Sequence, residues 1–138
     1  MRSSLSRWLV FALCLALVVV PPMTARGADL REKDVRDAIE KGKRYLLKQQ
    51  RSDGSWRSGG GNDSFAVGIT SLVLLALINT GMTANDLEIQ RGLDWLRKQD
   101  PTVNTHATYQ TSLMIQALAA AKMGKQDVPR VARLAEKL

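Results

Sequence analysis

The 138-residue chain carries 20 basic and 13 acidic side chains, one histidine and one cysteine. A single cysteine excludes a disulfide framework and a thiolate-held zinc. The basic residues alternate with acids along helical faces instead of forming a basic block with interleaved aromatics, which excludes nucleic acid as the expected partner.

Arg2 and Arg7 precede an uncharged run from Trp8 to Val20, Pro21-Pro22 breaks it, and Ala25-Arg26-Gly27 places small residues where a leader is cut. This is the pattern of a secretory signal peptide over residues 1–27, and its apolar run falls short of the roughly 20 residues that cross a bilayer. Export to a periplasmic or extracellular space is expected, with the membrane touched only through the signal. Cys14 leaves with the leader. So do three of the basic residues and none of the acids, so residues 28–138 carry a net charge of +4.

Beyond the leader, Val35, Ala38, Ile39, Gly42, Tyr45 and Leu46 fall on one stripe at helical spacing, which predicts an amphipathic helix with one buried face. Ser52-Asp53-Gly54-Ser55 and Gly59-Gly60-Gly61-Asn62 stop it. Ser64 to Thr80 holds no charge, so the spacing predicts a helix buried on nearly every side. Gly81 reads as its C-cap, and Thr83 with Asp86 as a capping box opening the next helix. Amphipathic residues 85–99 follow, then a turn at Asp100-Pro101 and a mostly apolar helix from about Thr105 to Met123. Asp127 and Pro129 open a fifth helix with Val131, Leu134, Ala135 and Leu138 on one stripe. Within the apolar helices, Ser71 and Ser112 are expected to bond back to the preceding turn.

One phrase occurs twice. Lys41-Gly42-Lys43-Arg44-Tyr45-Leu46-Leu47-Lys48-Gln49 returns fifty positions later as Arg91-Gly92-Leu93-Asp94-Trp95-Leu96-Arg97-Lys98-Gln99. Ile69–Leu77 returns as Gln110–Leu118 at an offset of forty-one. The unit is a pair of helices, with repeats at about 33–81 and 83–124 and the start of a third at 127–138. Such units bury their apolar faces only against each other.

The run from Lys41 to Gln49, continued through Asp53-Gly54-Ser55-Trp56, resembles the QW repeat of squalene-hopene cyclases, oxidosqualene cyclases and protein prenyltransferase β subunits. The second copy departs from it, since no Gly-x-Trp follows Gln99 and its turn is not expected to be braced in the same way. The resemblance covers about residues 33–123. It implies an all-α chain built as an incomplete α/α toroid of about two and a half helical hairpins, inner helices lining a cavity and outer ones wrapping them. It also implies that Gly42, Tyr45, Leu46, Gln49, Gly54, Trp56, Gly92, Trp95, Leu96 and Gln99 are structural. Gln49 is then expected to bond at a neighbouring helix end and Trp56 to cover the turn.

Chemistry is sparser. The cyclases' Asp-x-Asp-Asp acid is absent from the chain, and so is the cysteine of the prenyltransferases' zinc site. His106-Ala107-Thr108-Tyr109 is similar to the His-x-x-Tyr of the latter, and Asp63 holds the corresponding place in the first repeat. Asp63, His106 and Tyr109 are therefore candidates at the cavity mouth. Two ligands are too few for catalytic zinc, so no metal is assigned, and Asp63 with Ser64 reads as a helix cap. No catalytic residue and no cofactor is assigned either. The expected function is an exported repeat module that binds or scaffolds, with an apolar small molecule as a possible ligand. The alternative is the N-terminal part of a terpenoid cyclase or prenyltransferase-like enzyme. Inner helices with long apolar faces predict that the chain is a piece of a larger toroid, or that it self-associates.

Overall fold

The computed structural model describes residues 31–138 except 60–62, 104–105 and 123. The expected signal peptide lies outside the described residues, as do Asn62, Thr105 and Met123. Five helices follow one another: α1 (Glu32–Lys48), α2 (Ala66–Asn79), α3 (Leu87–Arg97), α4 (Ala107–Ala120) and α5 (Gly124–Ala135). Short 3-10 turns at Asp63–Phe65 and Pro101–Val103 lead into α2 and α4. Among the described residues the chain is all-α, and none of these helices is long and apolar enough to cross a membrane.

The core forms where the two uncharged helices meet, and α2 against α4 is the most extensive pairing. Leu74 and Leu77 of α2 and Met114, Ala117 and Leu118 of α4 are fully buried there. Gly68 allows the close approach, since a Cβ there would lie 3.1 Å from Cε1 of Tyr109. Ile89, Leu93 and Leu96 of α3 cover α2, while α5 lies against α4 and adds Leu134. Arg97 ties α3 to α5, its Nε and Nη2 donating to the two carboxylate oxygens of Asp127 at 3.0 and 2.8 Å. Both side chains are largely shielded. A paired charge of this kind is costly to leave single, so the two helices are held in one register.

Local chemistry explains the helix ends. Gly81 has φ +94, and Met82 N donates to Leu77 O while Gly81 N donates to Ile78 O. This is the Schellman arrangement that a glycine C-cap permits. Ser71 and Ser112 donate to the carbonyls of Val67 and Thr108, four residues back in each case. Only half of the expected capping box forms: Thr83 N donates to Asp86 Oδ2 at 2.6 Å, but the Thr83 hydroxyl accepts from Asn85 N, and α3 begins at Leu87 with Asp86 as its N-cap. At the other end α5 begins at Gly124, ahead of Asp127, and Pro129 lies inside it. A proline gives up one ladder bond there, where Val128 and Pro129 are exposed.

Two expected burials do not occur. No residue of α1 is buried; Val35, Ile39 and Tyr45 are exposed and only Leu46 and Leu47 reach the core. A stripe is buried only when another element covers it, and no other described helix packs broadly on α1. Likewise α2 is not enclosed all round, because Leu72 is exposed and Val73 and Leu75 are half-buried.

Candidate functional site

The turn that follows the first copy of the phrase is seated on the helix that carries the second. After α1 the chain turns at Arg51–Gly54, with Gly54 N donating to Arg51 O and Arg51 N to Ser55 O. Asp53 Oδ1 accepts from both the backbone N–H and the hydroxyl of Ser55, at 2.9 and 2.7 Å. Asx turns of this kind stabilise the bend locally. Trp56 then enters the core at 2% exposure. Its indole N–H donates to Leu46 O at 2.7 Å, and its backbone N–H donates to the Thr70 hydroxyl at 3.0 Å.

Three residues of this turn rest on α3. A Cβ on Gly92 would lie 2.9 Å from Leu74 Cδ2 and 3.0 Å from Trp56 Cζ3, so the glycine leaves room for the indole. A Cβ on Gly54 would lie 2.7 Å from the Arg91 carbonyl carbon, so that glycine sits directly on the α3 backbone. The expected reach of Gln49 belongs instead to its neighbour. Gln49 is exposed, whereas Gln50 Nε2 donates to Gly54 O at 3.1 Å and to Glu88 O, in the first turn of α3, at 2.8 Å. The turn leaves α1 with Gln50, not Gln49, on the inner side.

The second turn lacks the tryptophan and keeps the bend. Asp100 Oδ1 accepts from the N–H and hydroxyl of Thr102 at 3.0 and 2.6 Å, repeating what Asp53 does for Ser55. Here α5 takes the place of the indole contact: Arg130 donates to Gln99 O, and Asp127 holds Arg97. Gln99 turns its own amide back to Trp95 O at 3.1 Å. Tyr45, the first-copy counterpart of half-buried Trp95, is exposed.

The cavity-mouth candidates do not gather into one site. Asp63 lines a cleft of about 250 Å³ with Arg57, Trp95, Asp100 and Gln110, and its carboxylate is paired with Arg57. The same guanidinium holds Asp53 at 2.8 Å and the Ser55 hydroxyl at 3.1 Å. His106 stacks on Phe65, ring centroids 4.2 Å apart, and Tyr109 lies over Gly68. Among the described residues no three His, Cys, Asp or Glu side chains stand close enough to share a metal ion. The N-cap of α2 is Phe65, which provides no side-chain acceptor. Gln110 serves this end instead, accepting from Gly68 N at 3.2 Å and donating to Ser64 O at 2.9 Å. A fully buried amide in an apolar helix, aligned with Ile69 of the first copy, was the available signal for this role.

Burial alone would raise the Asp53 carboxyl, but its bonds from the Ser55 backbone N–H and hydroxyl and the charge of Arg57 hold it below the ordinary carboxylate value. Asp100 is lowered by its bonds from the Thr102 hydroxyl and N–H. Both carboxylates titrate lower in the fold than in the unfolded chain. Their stabilisation is complete above the unfolded value of about 3.9 and is lost as pH falls through the folded one. In Asp53→Asn, the deficit in melting temperature relative to wild type is expected to shrink on titrating below about pH 4. Melting curves of both proteins between neutral pH and pH 3 check it, and a deficit constant with pH would refute the linkage.

Comparison of the chain with protein families, with curated proteins and with solved structures finds no significant match.

Proposed function

We propose that the chain is an exported repeat module of the squalene-cyclase and prenyltransferase toroid kind, one that binds or scaffolds and does not catalyse. The observation that supports this reading is the use of the repeated phrase: Gly54, Trp56 and Gly92 join one hairpin to the next. The polar candidates also stand apart, Asp63 paired with Arg57 and His106 stacked on Phe65. A mainly apolar cleft of about 370 Å³ between α4 and α5, lined by Leu118, Ala119, Val128, Val131 and Ala132, suits an apolar small molecule.

The test is a product assay. The full chain, incubated with an isoprenoid diphosphate or with squalene in the presence of zinc, is expected to leave both unchanged by mass spectrometry. Asp63→Asn and His106→Ala are expected to change nothing. A cyclised or transferred product that disappears in either variant would establish the enzyme reading instead.

A further inference from the structure

The two apolar helices, whose sequences match at an offset of forty-one, also end in the same way. At that offset Gly81 corresponds to Lys122, and each follows its helix in the left-handed region, at φ +94 and φ +50. The same bond closes both ends: Gly81 N donates to Ile78 O at 2.9 Å, and Lys122 N donates to Ala119 O at 3.1 Å. The backbone thus asks for a glycine twice and receives one once. A side chain in this conformation brings its Cβ against a carbonyl oxygen, a crowding that glycine escapes. Among the described residues Lys122 is the one non-glycine with positive φ. A residue held in such a conformation directs attention to what its side chain does.

Lys122 lines two clefts. One is the apolar cleft of about 370 Å³ between α4 and α5, which it shares with Leu118, Val128 and Val131. The other, of about 280 Å³, runs to the end of α2 at Ile78 and Gly81. Of the described residues lining either cleft, Asp127 is the one acid, and both of its carboxylate oxygens already accept from Arg97. The α4–α5 cleft therefore presents hydrocarbon beside a single uncompensated positive charge.

We propose that this cleft binds an amphipathic carboxylate of medium chain length, with the alkyl chain along Leu118, Val128 and Val131 and the head group on Lys122 Nζ. The inference rests on the reading of the cleft as a small-molecule site, and it adds the charge and shape of the ligand. A volume near the lower end of the roughly 300–1,000 Å³ found for ligand pockets suits a chain of moderate length. One cation at its edge matches one negative charge, which favours a carboxylate over a diphosphate. Lysine at the position of Gly81 is then explained, because a glycine there would end the helix equally well and leave the head group without a partner.

The probes are octanoate and octanol, which carry similar chains and differ in the head group. Each is titrated to millimolar concentration into the isotope-labelled full chain, as wild type, Lys122→Gly and Lys122→Glu. Saturable shifts of the backbone amides of Ala119, Val131 and Ala132 are expected with both probes. In Lys122→Gly, octanoate is expected to bind about two- to fivefold more weakly, the range of an exposed ion pair, while octanol binding is unchanged. Lys122→Glu keeps a side chain and reverses its charge, so octanoate should weaken by about tenfold, again without effect on octanol. The melting temperature of Lys122→Gly should be no lower than that of wild type, since the glycine relieves the crowding. A lower one would show that the lysine serves the helix end, and would overturn the proposal. Octanol binding with octanoate indifferent to both substitutions would overturn the head-group assignment and leave the apolar site standing. No shift with either probe would overturn the small-molecule reading along with it.

Discussion

Trp56→Ala is expected to destabilise the protein by about 3–5 kcal/mol, the range for removing a fully buried tryptophan. A domain of this size has about 5–15 kcal/mol in all, so the loss is a large part of the margin. Two effects add: the cavity left between α2 and α3, and the Leu46 carbonyl that loses the indole N–H. Trp56→Phe separates them, keeping most of the apolar contact and giving up the hydrogen bond, at about 1 kcal/mol plus a smaller cavity. Urea denaturation should rank the three proteins wild type, Trp56→Phe, Trp56→Ala. Were Trp56 only a lid on the hairpin end, its truncation would fall within about 0.5 kcal/mol, as surface substitutions do. Gly92→Ala adds a second check. Its methyl would lie 2.9 Å from Leu74 Cδ2 and 3.0 Å from Trp56 Cζ3, and removing the ring relieves the second contact and gives the Leu74 side chain room to shift from the first. The double variant should therefore be more stable than the sum of the single changes, with coupling of about 0.5–3 kcal/mol.

What the sequence reveals about this fold divides along a physical line. Features set by neighbours in the chain were legible. Gly81 ends α2 because a left-handed C-cap residue follows an apolar run, and Ser71 and Ser112 bond back one turn because helical geometry places a carbonyl there. Features set by what lies opposite were not. The stripe of Val35, Ile39 and Tyr45 on α1 has the same period as the stripe of α3, yet one is exposed and the other buried. Periodicity records that a face is apolar, not that something covers it. The reach of Gln50 in place of Gln49 is the same lesson at finer scale, since two adjacent amides differ only in which way the turn presents them.

The candidate site was legible as residues and not as an arrangement. Asp63 and His106 follow from a family pattern, and whether they serve chemistry depends on Arg57 and Phe65, neither of which carries any signal for that role in the sequence. One guanidinium is forked between Asp53 and Asp63, which ties the cavity-mouth carboxylate to the turn instead of leaving it beside His106. The Asp53–Ser55 turn and its echo at Asp100–Thr102 show that the bend is the repeating element, while the tryptophan is a device of the first seam alone.

The sharpest discrimination between a turn that merely bends and one seated on its neighbour comes from two glycines with nearly the same backbone angle. Gly54 has φ +92 and Gly81 has φ +94. Alanine at either position pays the left-handed penalty of about 1–2 kcal/mol. At Gly81 nothing lies within 4 Å of the new methyl, so Gly81→Ala should cost no more than that. At Gly54 the methyl would meet the Arg91 carbonyl, which is backbone inside α3 and can yield only if the turn lifts away. Lifting the turn breaks the bond from Gln50 to Glu88 and withdraws Trp56 from Gly92. Gly54→Ala is therefore expected to lose about 3 kcal/mol or more, the backbone strain and overpacking together. Trp56 should also become more exposed to a fluorescence quencher, which Gly81→Ala should not cause. Equal losses in the two variants, with quenching unchanged, would mean that the turn bends freely and does not bear on α3.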